Sequence, residues 1–262
     1  MTFGHLVDVD GRGVATVTLN RPEVHNAFNA ELIAGLDATF AALGQRADVR
    51  CVVLRGAGKS FSAGADLGWM KQAAAFTREQ NINDGIALGR MLKALQVLPQ
   101  PSLALVHGNC FAGGTGLAAA CDVAVALKNA VFSLSEVRLG LVPAMISPYL
   151  EAAMGARNCR RLFLTAERFD GVQARDMGLV HEVAEDEAAL DAARDRFVDA
   201  FLAGAPGAMR ESKRLIDAVT SHQADEALMR TTATFLAEAR TSAEGQEGLA
   251  AFFEKRKPGW AK

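Results

Sequence analysis

Short β-branched runs alternating with helix-like stretches, from the N-terminus to about residue 145, constrain this chain more than any other feature. LVDV and VATVTLN flank the turn DGRG and read as a hairpin. Arg21-Pro22 ends the second strand, and Asn29 stands where it can cap the amphipathic stretch AELIAGLDATFAALGQR. VRCVVLRG and SLALVHG read as buried strands, and VAVAL and AVFSL follow, separated by Lys128 and Asn129. Strands spaced by helices require a sheet with crossover helices, so an α/β core is expected. Beyond residue 145 the texture changes. EAAMGARNCRRLFLTAERF, ALDAARDRFVDAFLAG, PGAMRESKRLIDAVTS and EALMRTTATFLAEARTSAEGQEGLAAFFEKRK carry helical periodicity, and strands are nearly absent. The expected division is an α/β core over residues 1–200 and a helical C-terminal subdomain over 201–262.

Composition narrows the function by exclusion. The 262 residues are 50% hydrophobic and 22% charged, enough for a substantial core. A formal net charge of -2 supplies no field for nucleic acid or an anionic membrane, so any anionic ligand must be held by a local site. Cys51, Cys110, Cys121 and Cys159 are far apart, with neither the paired spacing nor the histidines of a zinc site. They read as buried thiols in a reducing cytosol. MTFGHLVDVDGRG lacks the charged-then-apolar pattern of a signal peptide. No apolar run approaches the roughly 20 residues that span a bilayer. The expectation is a cytoplasmic protein with no metal, no membrane partner and no nucleic acid.

The chemistry concentrates in NCFAGGTGLAAACD, residues 109–122, where a strand runs through three glycines into a short helix. The spacing of a triphosphate-binding loop is missing. A dinucleotide fingerprint fits in part: Gly114, Gly116 and Ala119 match G-x-G-x-x-A, and Glu136 lies about 20 residues on. That fingerprint needs a full crossover helix, whereas Asp122 interrupts after barely two turns. A third reading draws support from KSFSAGADLGWMK, residues 59–71, a second small-residue turn after a buried strand. Two such turns can each aim a backbone N–H at one oxygen. Each donor of that kind is worth about 2.7–4 kcal/mol to a developing oxyanion.

SFSAGADL, NCFAGGTGLAAACD and FSLSEVRLGLVP, with RPEVHNAFN near the start and AFFEKRKPGW at the end, resemble the enoyl-CoA hydratase/isomerase (crotonase) family over essentially the whole chain. The resemblance implies a crotonase-like (ββα)n superhelical core. It implies that the amides of Ala65 and Gly113 bind the thioester carbonyl oxygen of an acyl-CoA. His25, Asn26 and Ala27 would run along the CoA adenine through backbone contacts. Ser62, Ala63, Asp66 and Leu67 would line the pantetheine and adenine path, with Gly114, Gly116 and Ser135 also at the substrate. Phe252 and Lys255 would approach the CoA of a neighbouring subunit in a homotrimer or homohexamer. Coenzyme A enters as part of the substrate, and no separate cofactor is implied.

Hydratases of this family use two glutamates around one water. Here one falls on Glu136, in SLSEVRLG, and the other on Gly116, which has no side chain. Glu136 alone could take a proton from water and return one to the α-carbon, a contribution of roughly 10²–10⁴-fold. One carboxylate also suits the family's double-bond isomerases, so both activities stay open, beside a non-catalytic CoA-binding protein and the nicotinamide dehydrogenase of the dinucleotide reading. SAGADLGWM, LSEVRLGLVPAMISPYL and LTAERFDGVQARDMGLV look like bacterial 3-methylglutaconyl-CoA hydratases and relatives acting on carboxylated terpenoid acyl-CoAs. A distal substrate carboxylate would then fill part of the vacancy at Gly116. Met145, Ile146 and Ser147, with Trp69 and Met70, would shape the far end of the acyl pocket. His107, ending an apolar strand, reads as structural.

Overall fold

Chain alternation becomes two sheets that share the strands pair by pair. The computed structural model describes residues 4–220 and 222–261. β1 (His5–Val9) and β2 (Val14–Leu19) form the expected antiparallel hairpin, with His5 opposite Leu19 and Val9 opposite Ala15. α1 (Ala30–Gly44) starts at Asn29, whose side chain accepts the Leu32 N–H at 2.9 Å, the cap expected from sequence. β3 (Cys51–Gly56), β4 (Ser60–Ser62), α2 (Leu67–Ala73) and α3 (Arg78–Gln96) follow. Then come β5 (Ser102–Val106), β6 (Asn109–Phe111), α4 (Gly113–Ala120), β7 (Val123–Leu127) and β8 (Val131–Ser133). A 3-10 turn (Glu136–Leu139) leads into α5 (Ser147–Thr165), β9 (Arg168–Asp170), α6 (Gly171–Asp176) and β10 (Glu182–Ala184). The chain closes with α7 (Glu187–Ala203), α8 (Pro206–Val219), α9 (Glu226–Thr241) and α10 (Ala243–Phe253).

The large sheet has the order β1-β2-β3-β5-β7-β10 and the small sheet β4-β6-β8-β9. In three successive units, β3–β4, β5–β6 and β7–β8, the first strand joins the large sheet and the second the small one, and helix follows. This is the strand–strand–helix repeat of the expected core. Parallel strands covered on both faces need continuous apolar sequence. β5 accordingly is buried at every position, and β3 from Cys51 to Leu54. Phe28, Phe40, Phe61 and Phe132 are the largest fully buried side chains, each worth about 1.5–3 kcal/mol on burial. All four cysteines are buried free thiols, as expected, and burial pushes the Cys51 thiol up to about 12.

Three boundaries differ from the sequence reading. β9 and β10, three residues each, lie in the part expected to be helical; runs that short carry no measurable period. The last helical stretch breaks at Ser242, which ends α9 and caps α10 by accepting the Gly245 N–H at 2.9 Å. α7 runs across the expected division at 200/201, and among the described residues the strand-free part begins after β10. Arg50 ties that part to the core, donating to the carbonyls of Leu202, Gly204 and Trp260. Lys213 pairs with Asp122 at 2.7 Å. Among the described residues no helix is long and apolar enough to cross a membrane.

Candidate active site

Strand order brings the expected residues together. β4, β6 and β8 are adjacent and parallel in the small sheet, with Ser62 beside Cys110 and Phe111 beside Ser133. Ala65, Gly113 and Glu136 each follow the end of one of these strands by two or three residues. Neighbouring strands lie 4.7–4.9 Å apart, so the three ends span about 10 Å of one sheet edge. Carboxyl ends of parallel strands are where sheets of this kind present ligands.

The first turn, residues 62–66, is fixed by its own hydrogen bonds. Buried Ser62 donates through Oγ to the Asn26 carbonyl at 2.9 Å and accepts the Gly64 N–H at 3.2 Å. Phe28 donates its N–H to the Gly64 carbonyl at 2.6 Å and accepts the Asp66 N–H at 2.8 Å. Such a parallel bridge straddles Ala65 and turns the Ala65 N–H away from Phe28. Among the hydrogen bonds of the described residues none uses that N–H. The Asp66 side chain caps α2, accepting from Gly68 at 2.8 Å and Trp69 at 3.2 Å, and pairs with Arg21 at 2.9 Å.

The second turn packs on the first. A Cβ on Gly64 (φ +86°) would lie 3.0 Å from the Ala112 Cβ, and one on Gly114 would lie 2.8 Å from the Ser62 Cβ. Phe28 sits against the same turn, since a Cβ on Gly113 would stand 2.9 Å from its ring. Ala112 adopts φ 47°, ψ −115°, a conformation that costs a non-glycine residue about 1–3 kcal/mol. Its N–H donates to the Ser133 carbonyl at 2.9 Å and its carbonyl accepts from Gly116 at 3.1 Å. The turn thereby feeds straight into α4, whose first N–H groups lack intrahelical partners. Gly113 opens that helix, and no hydrogen bond of the described residues uses its N–H. The positive end of the helix dipole lies at the same turn.

Glu136 begins the 3-10 turn beyond β8, just after Ser135, whose side chain makes no cap. The glutamate is half-buried, and its Oε2 is fully buried without a hydrogen-bond partner. Burial pushes its carboxyl above the ordinary glutamate range. A buried polar atom left unpaired costs about 1–3 kcal/mol, which marks this carboxylate as held for something other than stability.

Gly116 departs from the expectation of a vacancy. A Cβ there would lie 2.2 Å from Cγ2 and 2.7 Å from Cβ of Ile146, so Ile146 already fills the space a glutamate stem would take. Ile146, expected at the acyl pocket, is a core residue at 3% exposure. Met145 packs on α3, its Sδ 3.6 Å from where a Gly85 Cβ would stand. Trp69 donates through Nε1 to Asp84 Oδ1 at 3.2 Å, linking α2 to α3 beside Gly85. Burial raises the Asp84 carboxyl, and the Trp69 hydrogen bond opposes it. Nothing in the sequence singled out Asp84, because the pairing crosses two helices.

The remaining residues divide. Asn26 is fully buried, donates to the carbonyls of Ala57 and Ser60 and accepts the Arg21 N–H; its side chain is structural. Ala27 is buried beside it, while His25 is exposed at φ 53° with Nδ1 3.1 Å from Ser60 Oγ. Ala63 donates its N–H to the His25 carbonyl at 2.9 Å, and Leu67 is exposed at the start of α2. Ser62 is spent on backbone, so it reaches a ligand by position only. Phe252 lies exposed in the last turn of α10, and Lys255 lies exposed just beyond it. His107 bonds the Gly58 carbonyl at 3.0 Å, the structural role expected. The dinucleotide reading fails on geometry: α4 is eight residues long, and Asp122 after it anchors Ser102 and Lys213.

Two unengaged amides from abutting turns and one desolvated carboxylate on the next strand make a site able to hold a carbonyl oxygen while a proton is moved nearby. The family description enoyl-CoA hydratase/isomerase matches residues 10–262, and the chain belongs to that family. It is 31% identical over 254 residues to the short-chain-enoyl-CoA hydratase of Clostridium acetobutylicum, covering 96% of this chain and 95% of that protein. The crystal structure of an enoyl-CoA hydratase from Shewanella pealeana superposes with a TM-score of 0.95 at 40% identity, covering 98% of this chain and 96% of that one. Pseudomonas aeruginosa AtuE also gives a TM-score of 0.95 at 40% identity, covering 99% and 100%.

Proposed function

We propose that the protein is an enoyl-CoA hydratase, a hydro-lyase that adds water across the 2,3 double bond of an acyl-CoA. The observation that carries this reading is the buried, unpartnered Oε2 of the half-buried Glu136, one strand away from the free amide of Gly113 and two from that of Ala65. Glu136 accepts a proton from water as the water oxygen bonds to C3. The C2–C3 π pair moves to the thioester, whose oxygen becomes the oxyanion held by the N–H groups of Ala65 and Gly113. Protonated Glu136 then delivers its proton to C2, the oxyanion collapses, and the carboxylate is restored with 3-hydroxyacyl-CoA as product. Burial suits this cycle, because a raised carboxyl both accepts and donates more evenly near neutral pH. The thioester carbonyl is the electron sink, so the step needs no further cofactor, and CoA arrives with the substrate.

Glu136→Gln is expected to lower kcat by roughly 10²–10⁴-fold with the fold intact. Near-normal turnover in that variant would remove the assignment. The second reading, double-bond isomerisation, follows from the single carboxylate, which can carry a proton between two carbons. Incubation with a 2-enoyl-CoA separates them: hydration removes the conjugated absorbance and adds one water in the mass spectrum, and isomerisation leaves the mass unchanged.

For the acyl group we favour 3-methylglutaconyl-CoA or a related carboxylated enoyl-CoA, which would place the enzyme in leucine breakdown or a kindred route. This rests on the resemblance of SAGADLGWM and LSEVRLGLVPAMISPYL, and no longer on room at Gly116. A strong preference for crotonyl-CoA over 3-methylglutaconyl-CoA would remove the finer reading and leave hydration standing. A homotrimer or homohexamer accompanies the proposal. Met229, Leu236, Leu249, Phe252 and Phe253 are exposed on α9 and α10, apolar surface suited to a second copy, with Phe252 and Lys255 reaching a neighbour's CoA.

A further inference from the structure

Arg21 lies outside the sheet edge that carries Ala65, Gly113 and Glu136, yet its side chain reaches both strands of the bridge that orients Ala65. Its Nη1 donates to the Ala27 carbonyl at 2.5 Å, and its Nη2 to Asp66 Oδ2 at 2.9 Å. Ala27 precedes Phe28 and Asp66 follows Ala65, so the guanidinium closes a loop around the Phe28–Ala65 bridge. The same residue's N–H donates to Asn26 Oδ1 at 2.8 Å, and its carbonyl accepts the Asn26 N–H at 2.9 Å. Those two bonds hold His25 and Asn26 at φ 53° and 55°, left-handed backbone that a side-chain-bearing residue rarely adopts. The Arg21 and Asp66 side chains are only 19% and 17% exposed, so the pair is largely shielded from solvent screening. The chain also makes room for the arginine: a Cβ on Gly4 would lie 2.8 Å from the Arg21 Cδ.

Resting on the reading of Ala65 as an oxyanion donor, we infer that Arg21 is a positioning residue of the reaction. Its planar fork locks Asp66 to Ala27 and thereby fixes the direction of the Ala65 N–H. A lysine, with one compact charge, cannot give two N–H groups in that fixed geometry. Loss of one full oxyanion donor costs about 10²–10³ in kcat. Misdirecting it through Arg21→Met is expected to cost about tenfold to a hundredfold, with KM changed by less than about threefold. Arg21→Lys should behave like Arg21→Met, and guanidinium ion added to Arg21→Ala should restore part of the rate.

The independent readout is the infrared stretch of the thioester carbonyl in a bound, non-reactive acyl-CoA thioester. Wild type should shift it to lower wavenumber, and Arg21→Met should lose part of that shift while still binding the thioester. A wild-type shift that Arg21→Met retains in full, with kcat within about threefold, overturns this inference and leaves the hydratase reading intact. No shift in wild type overturns both. Should Arg21→Met unfold, the Asp66→Asn variant, which keeps the α2 cap oxygen, takes its place with the same two readouts and the same criteria.

Discussion

Replacing Gly116 with glutamate puts back the side chain that the two-carboxylate hydratases carry, and the structure says it will not fit alone. The new Cβ would stand 2.2 Å from Ile146 Cγ2, far inside van der Waals contact, in the middle of α4. Overpacking of this kind costs about 1–3 kcal/mol. A carboxyl driven into the core adds about 1–3 kcal/mol if it finds no partner. Helix propensity returns roughly 0.5–1 kcal/mol, because glycine is the poorer helix former. The net destabilisation is therefore on the order of 1–5.5 kcal/mol, a fall in Tm of about 2–22 °C for a chain of this size. Ile146→Ala alone should cost about 2–5 kcal/mol through the cavity it leaves. In the double variant the glutamate stem occupies that cavity, so the two losses should fall short of additivity by at least about 1 kcal/mol. Urea denaturation of the four proteins measures the cycle, and the hydration assay run beside it should find the double variant more active than Gly116→Glu. Additive losses, or a Gly116→Glu protein as stable as wild type, would refute the claim that Ile146 fills this space.

Other expectations follow from the same geometry. Because burial raises the Glu136 carboxyl in the folded state, the native protein holds that proton more tightly than the unfolded chain, and stability from it is present at low pH and lost as pH rises through the folded value; Glu136→Gln should gain more in Tm over wild type at pH 7.5 than at pH 4, and an equal gain at both would contradict it. Trp69→Phe removes the donor to Asp84 and should alter kcat/KM between short and long acyl chains by a few-fold to tenfold, with affinity for free CoA unchanged, in line with about 1 kcal/mol for one hydrogen bond. Arg256 and the Gly259 N–H hold the Glu247 carboxyl down to about 2, so the clamp on the C-terminal tail is present above the ordinary glutamate value and lost as pH falls toward 2; in a Trp69→Phe protein, Trp260 remains the one tryptophan, and its emission should shift over that window but not between pH 5 and 8. Phe252→Ser with Phe253→Ser should lower the assembly state in sedimentation velocity, and an unchanged sedimentation coefficient would remove those rings, 76% and 75% exposed, from any interface.

Much of the candidate site was legible as sequence because its two turns are built from small residues. Small residues in SAGAD and FAGG are needed where two turns touch, and that need shows as glycine and alanine: Gly64 against Ala112, Gly114 against Ser62, Gly113 against Phe28. Asn29 announced α1 because a cap acts over three residues. β9 and β10 escaped notice because three residues hold no period. The Arg21–Asp66 and Trp69–Asp84 pairs escaped because their partners are 45 and 15 residues apart.

Local order, then, was the sequence's own: strand, small-residue turn and helix, repeated, with the carboxylate of Glu136 after the third strand of its kind. Tertiary structure decided which strands became neighbours. Only the order β4-β6-β8 sets Ala65, Gly113 and Glu136 on one edge, and only the chain's return through Ile146 shows that Gly116 makes room for a core side chain. The physical reason is range. Propensity, capping and turn sterics act across a few bonds and are written in adjacent letters, whereas pairing and packing join atoms from distant parts of the chain and exist once it has folded.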